Sequence, residues 1–142
     1  MRKVSHILHR KGSNVTTVSP STTVIDALHI MADQNIGSVA VMENSDFLGI
    51  MTERDYSRKV ILKGRSSTDT TVGEIMSSHF PSVAVGDTIE YCMELMSDKN
   101  LRYLPVMDGN RLAGIISIND VVKETILEHE ETISHLHSYI NS

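Results

Sequence analysis

The sequence is poor in the residues on which several classes of protein depend. It contains no tryptophan, only four tyrosines and two phenylalanines, and a single cysteine, Cys92, among 142 residues. One cysteine cannot form an internal disulfide bond, so we expect a fold stabilised by packing and a location in a reducing compartment, the cytoplasm. No apolar run reaches the roughly 18 residues of a membrane-spanning helix, and no signal peptide is evident, so no membrane partner is expected.

Positive charge is also scarce. Lysine and arginine number 13 against 18 aspartates and glutamates, which gives a formal net charge of -5. The chain therefore has no overall positive field to attract a phosphate backbone, and nucleic acid is not an expected partner. The remaining composition, 40% hydrophobic and 22% charged, is typical of a globular protein with one core or two small fused ones.

A duplicated segment organises the chain. Val18–Asp55 aligns with Val83–Asp120 without a gap, and the upstream segment VSHIL (Val4–Leu8) matches VGEIM (Val72–Met76). Self-similarity of this kind indicates two copies of one structural unit. We predict a first repeat over residues 1–64, which includes the N-terminal segment, a polar linker over 65–71, a second repeat over 72–127 and a C-terminal helical extension over 128–142.

Each copy predicts the same order of elements, β-α-β-β-α, and therefore an α+β fold. A β-rich stretch precedes an amphipathic helix, two β-rich runs joined by the turn ENSD or DGNR follow, and a second helix begins at Glu53 or Ile118. The Glu53 helix should end near Lys63, with Gly64 as its C-cap. In the two copies the first strand is Val15–Val18 or Ser82–Val85, the N-cap Thr22 or Asp87, and the first helix end Asn35 or Asn100. Because each copy has one sheet face to cover, we expect the copies to pack sheet to sheet about a pseudo-twofold axis.

The hairpin of each copy ends on one motif, Gly-apolar-apolar-(Ser/Thr)-x-x-Asp, written GIMTERD from Gly49 and GIISIND from Gly114. A hydroxyl with an acid three residues later is typical of a capping box at a helix start. The same corner suits a phosphate on the helix N–H groups and the hydroxyl, with two ribose hydroxyls on the aspartate. The sequence leaves both interpretations open.

The two copies, with the segments RYLPVMDGNRLAGIISINDVV and GSVAVMENSDFLGIMTERD, resemble the cystathionine-β-synthase (CBS) domain, and the pair resembles a Bateman module. The similarity extends from about Val4 to Leu127. It implies a stand-alone regulatory module that binds AMP, ADP, ATP or NAD in the cleft between the repeats and signals to an unidentified partner protein. A sensor of S-adenosylmethionine and a structural oligomerisation module with vestigial pockets are the alternatives. No Walker-type loop, metal cluster or Ser-His-Asp set is found, so we expect no enzyme.

The resemblance also implies the ligand-binding residues. Asp55 and Asp120 would bind ribose, Thr52 and Ser117 would bind phosphate or ribose-phosphate, and the adenine would lie against strand residues near the start of each copy and of each hairpin. The whole expected set is Thr17, Val18, Gly37, Ser38, Val39, Ala40, Thr52, Arg54, Asp55, Arg58, Arg102, Tyr103, Leu104, Pro105, Ser117, Asn119 and Asp120. No catalytic or metal-binding residue is expected.

The copies differ in charge around this motif. Arg102 takes the position of Gly37, and Arg54 that of Asn119. RDYSRKVILKGR (Arg54–Arg65) is basic, whereas the equivalent C-terminal segment is acidic. The basic helix is either a solvated face or an extension of the phosphate site of the first copy, which would favour a ligand with more than one phosphate.

The C-terminal segment carries an apolar stripe. Ile126, Ile133 and Ile140 recur every seven residues with Leu136 between them, a pattern typical of a helix that packs on another helix. We expect a homodimer formed through the CBS disc and this helix, the alternative being a helix folded back on its own copy. The histidines of the tail, His129, His135 and His137, are expected to be solvated, and His79 is an exposed loop residue or a contact to the base.

Overall fold

The computed structural model of this protein describes residues 1–12 and 14–141. Ser13 of the predicted first repeat and Ser142 of the predicted extension lie outside the described residues. The helices are α1 (Val4–Lys11), α2 (Val24–Gln34), α3 (Glu53–Tyr56), α4 (Val72–Ile75), α5 (Ile89–Lys99) and α6 (Ile118–Asn141), with a π-helical turn at Ser57–Ile61. The strands are β1 (Thr17–Val18), β2 (Ser38–Glu43), β3 (Asp46–Thr52), β4 (Tyr103–Asp108) and β5 (Arg111–Ser117). The α+β fold class is confirmed.

The chain forms two compact units whose boundaries differ from those of the sequence repeats. The central unit is Val15–Phe80, and the terminal unit combines Met1–Asn14 with Pro81–Ser142. The cause is an exchange of helices: α1, at the start of the first repeat, packs in the terminal unit, and its sequence counterpart α4 packs in the central unit. Each unit therefore contains one of these short helices and the α-β-β-α part of the repeat with which it packs.

In the central unit, β1, β2 and β3 form a sheet in that order, with β1 parallel to β2 and β2 antiparallel to β3. Apolar residues at helical spacing on α2 cover it, because Val24, Ala27 and Met31 share one face. Val72 and Ile75 of α4 complete this core.

In the terminal unit, β4 and β5 form the corresponding antiparallel hairpin. The predicted strand Ser82–Val85 is reduced to a single parallel bridge between Val83 and Val106. The core combines Val4 and Ile7 of α1 with residues of α5 and of the hairpin, and the Leu104 side chain at its centre is fully buried.

The predicted helix starts are each displaced by one residue. The N-caps are Thr23 and Thr88, whose hydroxyls accept hydrogen bonds from the amides of Asp26 and Tyr91. Thr22 and Asp87, the predicted caps, instead accept bonds from the preceding turns, at the amides of Ser19 and Ala84. The helix ends at Asn35 and Asn100 are confirmed, and both residues have the left-handed conformation typical of a C-cap.

The segment after the first motif differs from the continuous α-helix predicted over residues 53–63. α3 ends at Tyr56, and the chain then widens into the π-helical turn, whose closing hydrogen bond runs from the Leu62 amide to the Ser57 carbonyl at 3.0 Å. Gly64 has the positive φ expected of a chain reversal, although Leu62 is the C-cap.

The predicted linker is part of the central unit. The carbonyls of Ser67 and Thr70 accept hydrogen bonds from the amides of Ile25 and Val24, in the first turn of α2. Thr70 is buried, and its hydroxyl donates to the Ser66 carbonyl at 2.7 Å. This segment therefore supplies acceptors to amides that a helix start leaves without intrahelical partners.

Candidate functional site

Two corners of the chain carry the repeated motif. The central corner is the junction of β3 and α3 at Thr52 and Asp55, and the terminal corner is the junction of β5 and α6 at Ser117 and Asp120. At each corner the aspartate accepts a hydrogen bond from the backbone amide of the hydroxyl residue, at 2.9 Å and 2.8 Å. The hydroxyl in turn accepts from the aspartate amide at 3.1 Å in both. The capping-box interpretation is therefore correct at both corners.

The first helical turn at each corner has few amides left for a ligand. Besides the aspartate amide, that of Glu53 donates to the Gly37 carbonyl at 3.2 Å, and that of Ile118 donates to the Arg102 carbonyl at 2.8 Å. Two of the helix N–H groups that were expected to receive a phosphate are therefore already bonded within the chain at each corner. A phosphate bound here would depend mainly on side chains.

Asp55 of the central corner is 6% exposed and is held by several groups. The Thr52 hydroxyl donates to one of its carboxylate oxygens at 3.1 Å, and the Ser77 hydroxyl donates to the other at 2.8 Å. The ammonium of Lys59 lies 3.0 Å from the oxygen that Ser77 contacts, and it also donates to the Ile75 carbonyl at 2.9 Å. The buried carboxylate thus has a cationic partner from the π-helical turn that follows α3.

Asp120 of the terminal corner also pairs with a lysine. The ammonium of Lys11, at the end of α1, donates to the carboxylate at 2.8 Å and to the Ile115 carbonyl at 3.1 Å. Burial alone would raise the pKa of Asp120, but the hydrogen bond and charge of Lys11, with the Ser117 amide, outweigh it and hold the pKa below its usual value. The carboxylate is therefore ionised and neutralised near pH 7.

The two lysines were not predicted as site residues. Lys59 has a signal in the sequence, because it lies four residues after Asp55 on a helical segment, where opposite charges meet. Lys11 has no such signal, because 109 residues separate it from Asp120. Only the packing of α1 in the terminal unit brings them together.

The glycine of each motif makes room for a crossing segment of the chain. A Cβ atom at Gly49 would lie 2.5 Å from the Ser77 carbonyl oxygen, and one at Gly114 would lie 2.7 Å from a methyl carbon of Leu8. Ser77 follows α4, and Leu8 belongs to α1, the two exchanged helices. The close approach that these glycines permit is thus made by the protein itself.

Strand pairing brings other expected site residues beside the corners. Ser38 pairs with Thr52 in the central unit, and Tyr103 pairs with Ser117 in the terminal unit. Among the residues expected along the adenine, the exposed Thr17 lies opposite Ala40 on the neighbouring strand. The residues with buried side chains, which could offer a base mainly their backbone, are Val18, Val39, Ala40, Leu104 and Pro105.

The expected polar ligands differ in their exposure. Arg58 lies in the π-helical turn and is exposed, as are Arg102 and Asn119. Arg54 lies in α3 and is half-buried. The basic residues near the central corner thus belong to two successive helical segments.

The described part of the chain contains no cluster of side chains suited to bind a metal ion. Among residues 1–12 and 14–141, no group of three or more histidine, cysteine, aspartate or glutamate residues is placed to hold an ion. His79 is exposed, as are His129, His135 and His137 on α6. Over the same residues, no helix has both the length and the apolarity needed to cross a membrane.

Comparison with known proteins agrees with this architecture of two duplicated α+β units. A model of the CBS domain matches residues 4–61 and again residues 72–126. CBS domain-containing protein CBSX3, mitochondrial, of Arabidopsis thaliana is 35% identical over 146 residues, which cover 96% of this chain and 71% of the relative. The chain belongs to the CBS-domain family and carries two CBS domains in tandem, as the resemblance predicted.

Solved structures show the same relationship. A CBS-domain protein from Burkholderia ambifaria MC40-6 superimposes with a TM-score of 0.85 and 43% identity, over 89% of this chain and 95% of that one. A hexameric CBS-CP12 protein from bloom-forming cyanobacteria gives a TM-score of 0.74 and 30% identity, over 86% of this chain and 70% of that one. Proteins of this tandem class are commonly regulatory or signal-transduction modules.

Proposed function

We propose that this chain is a regulatory sensor that binds an adenosine nucleotide, AMP, ADP, ATP or NAD, at its two corners and signals its state to a partner protein. The observation that supports the proposal most is the construction of the corners. Each holds an aspartate that exchanges hydrogen bonds with a neighbouring hydroxyl residue and pairs with a lysine, and these groups suit a ribose and its phosphate.

Sensing requires no chemical step. Ligand binding can shift the population of two states by the difference between its affinities for them, typically about 1–3 kcal/mol of coupling. We therefore propose no catalytic residue, and release of ADP from ATP and Mg²⁺ by the purified protein would contradict this part of the proposal.

We further propose that the signalling form is a homodimer joined through the C-terminal part of α6. From His129 to Ile140 every side chain of this helix is exposed. The stripe formed by Ile126, Ile133, Leu136 and Ile140 is 53%, 56%, 57% and 75% exposed. The seven-residue spacing of Ile126, Ile133 and Ile140 is that of a helix paired with another helix. The cyanobacterial relative described above is hexameric, so assembly occurs among similar proteins.

We place the protein in the cytoplasm, where a lone thiol stays reduced. Burial, with a smaller effect of Asp87, raises the pKa of Cys92 to about 11, which makes this thiol a poor nucleophile. The Arabidopsis relative, in contrast, carries the description mitochondrial.

One observation favours a second candidate, a structural oligomerisation module whose corners bind nothing. Asp55 is almost completely buried, and its carboxylate already has partners in Thr52, Ser77 and Lys59. A corner satisfied in this way stabilises the fold without any ligand. Direct binding measurements distinguish the two functions.

The deciding experiment is titration calorimetry of the whole chain with AMP, ATP and NAD. We expect saturable binding of at least one of them, and an Asp120→Asn variant should bind it about tenfold more weakly, because a charge-assisted bond to the ribose becomes a neutral one. Asp98→Asn, which changes an exposed carboxylate on α5, is the matched control and should bind like the unmodified protein. Absence of heat with all three compounds would favour the structural module.

A further inference from the structure

We infer that Lys11 and Lys59 restrict the two corners to ligands that carry a phosphate beside the ribose. Nucleotides would be accepted, whereas adenosine and S-adenosylmethionine would be rejected. The inference rests on the proposed nucleotide-binding function and narrows it from adenosine-containing compounds in general to nucleotides.

Each lysine is already bound to the carboxylate that a ribose would use. Lys59 lies 3.0 Å from Asp55, and Lys11 lies 2.8 Å from Asp120. The aspartate side chains are only 8% and 15% exposed, so each carboxylate is poorly solvated and the ammonium is its charged partner. A ligand that takes the carboxylate must therefore displace or share the lysine.

Ligands differ in the partners that they offer to the aspartate and to the displaced lysine. Two ribose hydroxyls provide neutral hydrogen bonds to the aspartate, but they leave the ammonium without its anion. A phosphate attached to the same ribose provides a new anion for the ammonium, while the ribose hydroxyls take its place on the carboxylate. A sulfonium ligand such as S-adenosylmethionine would instead add a positive charge beside the lysine, which is unfavourable.

Backbone amides are the other candidate donors for a phosphate. At each corner two amides of the first helical turn are already bonded within the chain, as described above. The lysines are better suited, because their side chains are 37% and 43% exposed and a flexible stem allows the ammonium to follow a ligand. Each ammonium also bonds one backbone carbonyl, of Ile115 or Ile75, which keeps it near the corner.

The lysine–aspartate pair at the two corners does not come from duplication of one lysine. In the aligned repeats the position of Lys59 is taken by Glu124, which pairs with arginines instead, and Lys11 lies in a stretch where the first copy is three residues longer than the second. The two corners therefore obtain their ammonium from different elements, the π-helical turn in one and α1 in the other. A lysine copied with the repeat would occupy equivalent positions in the two copies. Since these two lysines do not, we attribute their pairing with equivalent aspartates to a role at the corner.

The test compares the affinities of AMP, adenosine and S-adenosylmethionine for the whole chain by titration calorimetry at fixed ionic strength. We expect the unmodified protein to bind AMP at least about tenfold more tightly than either other compound. In the double variant Lys11→Met, Lys59→Met the preference should fall to within about twofold, through weaker AMP binding and unchanged or stronger adenosine binding. Methionine keeps the apolar stem and removes the charge.

The matched control is the double variant Lys63→Met, Lys123→Met, which removes the same net charge from two exposed lysines and should keep the original preference. If the unmodified protein binds AMP and the corner variant keeps the full preference, the inference is wrong and the proposed function stands. Equal affinities of AMP and adenosine for the unmodified protein have the same meaning. If none of these compounds binds and the titrations with ATP and NAD also give no heat, both the function and the inference are wrong.

A measurement on the unmodified protein covers the case in which the variants do not fold. The side-chain ammonium signals of ¹⁵N-labelled Lys11 and Lys59 should shift when AMP is added, and adenosine at equal concentration should leave them in place. Binding of AMP that moves neither signal would overturn the inference.

Discussion

At the scale of single residues, Gly49 and Gly114 show how one motif serves two different contacts. Both positions lack space for a Cβ atom, but the obstacles differ. At Gly49 the obstacle is the backbone carbonyl of Ser77, which is fixed by a pair of hydrogen bonds with Ile50 at 2.9 Å each. At Gly114 it is the end of the Leu8 side chain, which can change rotamer.

Gly49→Ala should therefore destabilise the protein more than Gly114→Ala. We expect losses of about 3 kcal/mol and about 1 kcal/mol, the upper and lower ends of the usual cost of overpacking. Urea denaturation followed by circular dichroism measures both. Gly86→Ala is a control, because a Cβ there meets no atom within 4 Å. Equal losses at Gly49 and Gly114 would show that the carbonyl moves as easily as the side chain.

The sequence predicts part of the corner at this scale. A hydroxyl and an acid three residues apart form a local motif, so the pairings of Thr52 with Asp55 and of Ser117 with Asp120 could be predicted without a fold. The contact between Lys11 and Asp120 depends on where a distant helix packs, and no local pattern records it. The proposed roles of these residues in ligand binding remain predictions.

At the scale of elements, α1 is fastened to α6 by a buried carboxylate. Glu124 of α6 is fully buried and lies 3.1 Å from a guanidinium nitrogen of Arg2 and 2.7 Å from one of Arg10. The Arg2 amide also donates to Glu128 at 3.0 Å, which is the largest cause of the lowered pKa of that carboxyl group. The two helices thus meet through charges as well as through the apolar core.

Glu124→Ala should weaken this attachment. We expect a loss of about 2 kcal/mol in the free energy of unfolding near pH 7, less than for a fully buried pair because both arginines can turn toward water. Hydrogen exchange should rise first in α1. Glu131→Ala, which removes an exposed partner of Arg2, is the control and should leave stability and exchange unchanged. Equal effects of the two substitutions would mean that the buried carboxylate contributes nothing special.

Elements with a strong local pattern were predictable, and those defined by long-range contacts were not. Both hairpins, α2, α5 and the long α6 follow from periodicity, turn residues and caps. The strand expected at Ser82–Val85 is reduced to one bridge, in which Val83 pairs with Val106 of β4. A π-helical turn replaces part of a predicted α-helix at Ser57–Ile61. No glycine or proline in this segment indicates the change.

At the scale of the whole molecule, the exposed stripe on α6 sets an expectation for assembly. Ile133→Asp combined with Leu136→Asp places charges in the proposed helix pair and should reduce a dimer to a monomer of 15.8 kDa. Size-exclusion chromatography with light scattering gives the mass directly. Ser138→Asp, on another face of the same helix, should leave the assembly intact. A mass of 15.8 kDa for the unmodified protein at every concentration would contradict the homodimer.

The exchange of α1 and α4 has a consequence for how such chains are inherited. The repeat of the sequence ends at one boundary, but the compact structural unit takes a helix from the other copy. A recombination event that deleted or transplanted residues 1–64 would remove Val4 and Ile7 from the core of the half it left behind. Selection would therefore keep the two copies together, although each has the sequence pattern of a complete domain.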